Sequence, residues 1–362
     1  MQFGVLFSKH LGDITTSGSD RSWRVSESGM LAGIALLGIL AGVVPLSAQQ
    51  NRPADNSAVG VYQIRPNFYV LARAGGNIGV GIGSDGVLLV DAGSADMADK
   101  VLEAIGKLSG QPIRYIINTG ADPDHVGGNE KLAKAGQNLN GSGVGVSFGT
   151  NDIGATILAT EDVFKRMSLP PNKQTQSPYP VGAWPTETFF QEKKPLYLND
   201  EGIEVIRQRA HSDGDAIVFF RRSDVIMAGD ILDTTRFPVI DIDKGGSIQG
   251  EIDALNLLVD MAIPSIPLVW KEGGTYVIPG HGFICDQADV VEYRDMVTII
   301  RDVIQDMIGR GMTLEQIEAA DPTEGYRERY GAESGTWTTN MFVEAIYKSL
   351  TQKKQPARRI AK

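Results

Sequence analysis

The sequence predicts an α/β protein in which two mixed β-sheets are covered by helices within one domain. Three observations favour this fold. Short apolar runs typical of strands alternate with longer helical runs from residue 59 onward. No linker-like segment and no short-period repeat interrupts that alternation. The 362 residues are 42% hydrophobic, which is enough for a substantial core, and 22% charged, as in an ordinary soluble globular protein.

The expected elements follow one another along the chain. The β-rich runs between 59 and 92 are punctuated by Gly-Gly and Asp-Gly, which predicts hairpins. Later strands are predicted at 113–118, 155–159, 195–210, 216–220, 224–230 and 275–282. Helices are predicted at 95–108, 127–135, 160–167, 247–263, 286–311, 313–321 and 339–350. The Pro-rich segment 168–188 is a long exposed loop, and loops of this length are often functional.

The two chain ends are expected to lie outside this domain. The charge-free apolar run 31–44 is shorter than the roughly 20 residues that a membrane span needs, and arginines precede it. It is typical of a secretory signal. We therefore expect 1–48 to be a signal peptide that engages the secretion machinery, with an N-terminal membrane anchor as the alternative. Residues 49–350 then form the functional domain and 351–362 a basic tail. The expected location is periplasmic or secreted, with inner-membrane anchoring as the alternative.

Composition excludes several classes of protein. A formal net charge of -10, without a long basic run, argues against a nucleic-acid partner, because phosphate contacts need clustered Lys and Arg. The single cysteine, Cys285, excludes an intrachain disulfide framework and a Cys-rich zinc module. We expect Cys285 to be a buried apolar residue. A small-molecule substrate is the expected partner, and the oligomeric state is left open.

Polar side chains collect in the turns at the ends of the predicted strands. Of the four histidines, His10 lies in the signal segment, and the other three lie in such turns beside Gly or Asp. The polar residues of these turns are Asp122, Asp124, His125, His211, Asp213, Asp215, Asp230 and His281. Strand ends of sheet proteins converge on one edge, where ligands bind. Histidine together with carboxylate is the ligand set of zinc or non-haem iron, so the pattern predicts a metal centre.

One segment resembles the signature of the metallo-β-lactamase superfamily, in which HxHxDH follows a buried strand and precedes Gly-Gly-Asn: INTGADPDHVGGN. The other motifs of the family are matched in order by LLVDAG, HSDGD, MAGD and IPGHG, and the resemblance covers roughly 59–300. A further stretch, FPVIDIDKGGSIQG, resembles the bacterial secreted subgroup described as quinoprotein-relay-associated hydrolases. The resemblance implies an αββα sandwich of two mixed β-sheets flanked by helices, with metals at one sheet edge.

The resemblance also divides the ligands into two sets. The intact set is Asp124, His125 and His281, which we name the Asp124 group. The other set is Asp122, His211 and Asp230, which we name the Asp122 group, and Asp230 is available to both. The first two histidine positions of HxHxDH hold Gly120, which cannot ligate, and Asp122, which can bind as an oxygen ligand. The alternative for Asp122 is a hydrogen bond within its own turn.

We therefore expect one tightly bound zinc, with a second metal weak or absent, and iron or manganese as alternatives. The resemblance implies a hydrolase in which a zinc-bound hydroxide cleaves a small ester, thioester, lactone or amide bond, β-lactams included. Asp124 is the expected catalytic residue, since it would both ligate the metal and orient the nucleophile. The alternatives are a metal-binding protein of this fold without hydrolytic activity, and an iron-dependent oxidoreductase on the same fold.

Residues around the metal centre complete the expected site. Asp91 is expected to orient a ligand without touching the metal. Asp213 and Asp215 are expected to hold the His211 turn and support the ligands rather than bind the metal, with plain turn chemistry as the alternative. The loop 168–188 is a candidate lid, from which Trp184 would line the substrate cavity. Arg236 and Phe237, shortly after Asp230, are further candidates for that lining.

Overall fold

The computed structural model describes residues 58–139, 154–170, 176–265 and 273–352. The expected signal segment 1–48 and residues 353–362 of the expected tail lie outside these ranges. Within them, no helix is both long enough and apolar enough to cross a membrane.

The first sheet contains seven strands that neighbour one another in chain order. They are β1 (Gly60–Arg65), β2 (Phe68–Ala74), β3 (Gly76–Gly83), β4 (Gly86–Val90), β5 (Ile113–Ile117), β6 (Thr156–Thr160) and β7 (Glu187–Phe189). The first four are antiparallel, as the predicted hairpins require, and the last three join in parallel. Helix α1 (Ala98–Leu108) connects β4 to the parallel strand β5, because a parallel pair needs a crossover.

The second sheet contains five strands in the order β12-β11-β10-β9-β8. They are β8 (Lys193–Leu198), β9 (Glu201–Arg207), β10 (Ala216–Phe220), β11 (Val225–Asp233) and β12 (Tyr276–His281). The predicted strand region 195–210 forms a hairpin, because Asn199 and Asp200 adopt the left-handed φ values of 59° and 57° that a tight turn requires. Strand β12 pairs in parallel with β11, and α5 (Ile248–Met261) lies between them in the chain.

The remaining helices are short near the sheet edge and long in the C-terminal part of the chain. They are α2 (Pro123–Val126), α3 (Asn129–Ala135), α4 (Glu161–Ser168), α6 (Gln287–Gly309), α7 (Leu314–Ala319), α8 (Arg327–Tyr330) and α9 (Thr339–Thr351). Helix α6 begins where predicted, because the side chain of Asp286 caps its first turn and Asp289 bonds back in a capping box.

Three apolar clusters arrange these elements in layers. One cluster lies between the sheets and joins Phe68 and Leu88 of the first sheet to Val218 and Ile278 of the second. A second packs α1 and α3 against the outer face of the first sheet. The third packs α5, α6 and α9 against the second sheet, and it contains the buried Cys285, as predicted. The predicted sandwich of two mixed sheets flanked by helices is therefore confirmed.

Candidate metal centre

The six candidate ligands lie at one edge of the sandwich because each lies beyond the end of a strand or in its C-terminal half. Asp122 is the N-cap of α2, directly after β5, and Pro123 occupies the first helical position, where its missing N–H is harmless. Asp124 and His125 lie within that same short helix. His211 lies in the turn between β9 and β10, Asp230 lies in β11, and His281 ends β12.

The Asp124 group brings three potential ligand atoms within 4.8 Å of one another. Nε2 of His281 lies 3.0 Å from Oδ2 of Asp124. Oδ1 of Asp230 lies 3.0 Å from Nε2 of His125 and 3.6 Å from Nε2 of His281, so Asp230 adjoins this group as well as its own. Carboxylate and imidazole atoms at these separations can converge on a single cation.

His125 is oriented for ligation by Asp91. Nδ1 of His125 lies 2.8 Å from Oδ2 of Asp91, which also accepts a hydrogen bond from the Thr119 hydroxyl. A carboxylate beside Nδ1 assigns the ring proton to that nitrogen and leaves the lone pair on Nε2. Nε2 is buried, lies 3.0 Å from Asp230 and makes no hydrogen bond among the described residues. An acceptor nitrogen so placed fits a bound metal cation.

The Asp122 group is also compact, with its three ligand atoms within 4.8 Å of one another. Nε2 of His211 lies 2.8 Å from Oδ2 of Asp122, while its Nδ1 lies 2.8 Å from the Val239 carbonyl oxygen. Nζ of Lys244 donates to Oδ1 of Asp122 at 3.1 Å. The alternative that Asp122 bonds within its own turn is wrong, because its carboxylate makes no capping bond and reaches His211 and Lys244 instead.

Close backbone packing holds Asp230 between the two groups. The preceding residue, Gly229, has a left-handed φ of 56°, and a Cβ at that position would lie 2.6 Å from Oγ1 of Thr119. Only glycine fits there without strain. This close contact brings β11 against the turn after β5, so Asp230 faces the same space as Asp122 and His125.

The charges of the two groups shift one another's pKa when no cation is bound. Burial opposes a charge on His211, but the hydrogen bond to Asp122 and the nearby charges of Asp215 and Asp230 outweigh burial and raise its pKa to about 10. Burial alone would raise the pKa of Asp230, yet the charges of His125, His211 and His281 hold it far below its usual range. The carboxylates therefore stay ionised, and the cluster attracts protons or a metal cation.

Both groups open into a cavity of about 360 Å³. Arg236, a predicted lining residue, lies on the wall of this cavity, and its Nε donates to Oδ2 of Asp233 at 2.6 Å. Sequence reasoning missed Lys244, Thr336 and Trp337, which also line it. Lys244 lies within the stretch that carried the subgroup resemblance, so a signal for it existed. Thr336 and Trp337 precede α9, in a segment that no motif marked.

Two predictions about the cavity lining are wrong. Phe237 is only 1% exposed, and its ring stacks on Phe342 with centroids 4.9 Å apart, so it belongs to the core under the second sheet. Trp184 lines a different cavity, beside β6 and β7, where its Nε1 donates to the Tyr179 carbonyl oxygen. Within the described part of the predicted lid, Tyr179 reaches the turn that precedes Asp122, where its hydroxyl donates to the Ala121 carbonyl oxygen at 2.7 Å.

The turn that carries His211 also requires a correction. Asp213 pairs with Arg166 and does not orient a ligand directly. The neighbouring Asp215 has the supporting position, because its buried carboxylate accepts hydrogen bonds from the backbone N–H and the hydroxyl of Ser212 at 2.8 and 2.6 Å. At Gly120, a Cβ would meet no atom of the described residues within 4 Å, so this position has room for a side chain that glycine does not supply.

An αββα sandwich with two carboxylate and histidine groups at one sheet edge defines a class of candidate metalloproteins. The family model described as "Metallo-beta-lactamase superfamily" matches residues 73–267. That match covers more than half of the chain, so the chain belongs to this superfamily. No curated protein sequence has a significant match to it.

Solved structures share the fold at low sequence identity. A double mutant of the sec-alkyl sulfatase PisA1 is 13% identical, with a TM-score of 0.57, and the match covers 81% of this chain and 50% of that one. The stereoselective inverting sec-alkylsulfatase Pisa1 from Pseudomonas sp. is 14% identical, with a TM-score of 0.55 and coverages of 80% and 50%. This chain thus spans half the length of those sulfatases. A metallo-beta-lactamase from Pontibacter korlensis is 14% identical, with a TM-score of 0.48 and coverages of 66% and 99%.

Proposed function

We propose that the protein is a zinc-dependent hydrolase that cleaves a small ester, thioester, lactone or amide bond, β-lactams included. Zinc would be held by the Asp124 group together with Asp230. One observation carries the proposal: Nε2 of His125 is buried and has no hydrogen bond to any residue that the structure describes, while Asp91 fixes the opposite side of the ring. A buried acceptor without a partner is unfavourable unless a cation or a proton occupies the space before it.

When bound, zinc supplies a nucleophile at neutral pH, because it lowers the pKa of coordinated water to about 7. The residues of the chain position the reacting groups. The hydrogen bond to His281 lowers the pKa of Asp124, so its carboxylate stays ionised and can orient a water molecule at the cavity. Arg236 lies on the same wall, where its guanidinium pairs with Asp233 and has further N–H groups that can donate to a polar group of a substrate.

The proposal also states where the protein is located and to which subgroup of the superfamily it belongs. Export to the periplasm or beyond is supported by the apolar run 31–44 and the arginines before it. The secreted quinoprotein-relay-associated subgroup is supported by the stretch 237–250, which supplies Lys244 and Asp241 to the cavity wall. The substrate class within the hydrolases is open, because proteins of one fold carry out different reactions.

The test combines metal content with a matched pair of variants. Purified protein is expected to contain about one zinc per chain and to turn over at least one member of a panel of chromogenic esters, thioesters, lactones and β-lactams, with alkyl sulfate esters added because of the sulfatase neighbours. His125→Ala should remove the tightly bound zinc and abolish turnover. His211→Ala makes the same change in the Asp122 group and should retain that zinc.

Three other outcomes would contradict the proposal. Zinc retained in His125→Ala but lost in His211→Ala would show that the tightly bound zinc lies in the Asp122 group and not in the Asp124 group. Bound zinc without turnover on the whole panel would favour a metal-binding protein that has no hydrolytic activity. Iron with oxygen-dependent chemistry would favour the oxidoreductase alternative, which the two carboxylates of the Asp122 group support, since hard oxygen ligands suit iron better than zinc.

A further inference from the structure

Lys244 reaches the Asp122 group from the loop before α5. Its Nζ lies 3.1 Å from Oδ1 of Asp122 and 2.9 Å from Oδ2 of Asp241. The other oxygen of Asp122 faces His211 at 2.8 Å. Both oxygens of Asp122 therefore already contact a cationic or hydrogen-bonding partner, and the ammonium lies beside the space between these ligands.

The backbone around Lys244 is held firmly against the His211 turn. The N–H of Lys244 donates to Oδ1 of Asp241 at 2.9 Å, and its carbonyl oxygen accepts from the N–H of Asp213 at 3.0 Å. A Cβ at Gly246 would collide with the His211 carbonyl oxygen, so the loop can approach this closely only because glycine follows the lysine. The position of the ammonium thus follows from packing as well as from one ion pair.

Charge balance favours a single divalent cation. The two groups together contain three carboxylates, those of Asp122, Asp124 and Asp230, and three histidines that would ligate as neutral rings. Lys244 reduces the formal charge of this set from -3 to -2, which one divalent cation neutralises. A second dication would leave excess positive charge in a partly buried cavity and would lie beside the ammonium, where like charges repel.

We propose that the ammonium of Lys244 takes the place of a second metal ion. It neutralises Asp122 and holds it against His211, so the protein binds one divalent cation, in the Asp124 group. Gly120 contributes to the same result, because the family motif has a histidine ligand at this position and glycine supplies none, although a side chain would have room there. The inference rests on the proposed function only for the location of that one cation.

The experiment measures zinc per chain after titration with excess zinc and removal of the unbound ion. Wild-type protein should retain about one zinc, and Lys244→Met, which keeps the aliphatic stem but removes the charge, should retain about two. Lys244→Arg restores the positive charge and should retain about one. Lys134→Met is the matched control, because Lys134 also pairs with a carboxylate, that of Glu130 at 2.8 Å, but lies on α3 and outside the metal cavity.

Two results would overturn the inference. Two zinc ions in wild-type protein would show that the ammonium does not exclude a second metal, and this measurement does not depend on whether any variant folds. One zinc in a folded Lys244→Met would show that missing ligands, rather than the lysine, set the stoichiometry. Neither result bears on hydrolysis, whereas a failed substrate panel with one bound zinc contradicts the proposed function and leaves the role of Lys244 intact.

Discussion

Replacing Asp91 by asparagine tests how the metal centre is preorganised. The side chain of Asp91 is buried, and its Oδ1 accepts from the Thr119 N–H at 2.8 Å. Its Oδ2 faces both Nδ1 of His125 at 2.8 Å and the Thr119 hydroxyl at 2.7 Å. Asparagine has nearly the same shape and tolerates the left-handed φ of 64° at this position. The substitution therefore changes the hydrogen-bonding pattern with little change in packing.

The change should act on His125 through its tautomer. If the amide oxygen keeps the bond from the Thr119 N–H, the amide NH₂ must face Nδ1 of His125. An NH₂ donor there favours the ring with its proton on Nε2, and a protonated Nε2 cannot bind a metal. If the amide is turned around, its NH₂ meets the Thr119 N–H and two donors are opposed. Loss of such a ligand-orienting partner lowers metal affinity by about 10- to 100-fold, or roughly 1.4–2.8 kcal/mol.

The assay is zinc affinity by competition with a chromogenic chelator, for wild type and Asp91→Asn. Asp96→Asn serves as the matched control, because Asp96 is an acidic residue of the same strand-to-helix connection that bonds Ser94 at the surface. Its zinc affinity should equal that of wild type. The unfolding free energy of the zinc-free Asp91→Asn protein should fall by about 1–3 kcal/mol, because a buried hydrogen bond to a charged group is lost. Unchanged zinc affinity in Asp91→Asn would refute the tautomer argument.

Two further predictions address the core and the effect of pH. Phe237→Ala should lower the unfolding free energy by about 3–5 kcal/mol, because it removes a ring that stacks on Phe342 in the core. The kcat/KM of the folded fraction should not change. Denaturant unfolding and steady-state kinetics measure the two quantities, and a loss of kcat/KM without a loss of stability would show that Phe237 contacts the substrate. In the metal-free protein, the pKa of His211 is about 10, above its ordinary value of 6.5, so the stability that its proton confers is complete below pH 6.5 and lost as pH rises toward 10. Thermal unfolding of chelator-treated protein should therefore show a Tm that falls across that window, and a Tm that stays level or rises would contradict the ion pair with Asp122.

Much of the site could be predicted because its residues are tied to strand ends. An apolar strand followed by a polar turn places the turn at a sheet edge, whatever the rest of the chain does. Asp124, His125 and His281 therefore follow from the local pattern and from the order of the family motifs. The substitution at Gly120 was equally visible, since a missing side chain cannot ligate.

The lining of the cavity could not be predicted in the same way. Arg236 and Phe237 are adjacent in the chain, yet the arginine faces the cavity and the phenylalanine packs against Phe342 of α9. Which of two neighbouring side chains turns inward depends on where a helix about a hundred residues later is packed. The same dependence on long-range packing explains why the sequence does not indicate Trp337 as a lining residue of this cavity and wrongly indicates Trp184.

The sequence by itself determined the fold class, the superfamily resemblance and the identity of the six candidate ligands, because these depend on local periodicity and on motifs of short range. Only the tertiary structure decided that Lys244 faces Asp122 and that Asp215, not Asp213, supports the His211 turn. Those contacts depend on loops whose course is set by long-range packing. Loops carry no periodic pattern, so the direction of a side chain on a loop emerges only once the layers have assembled.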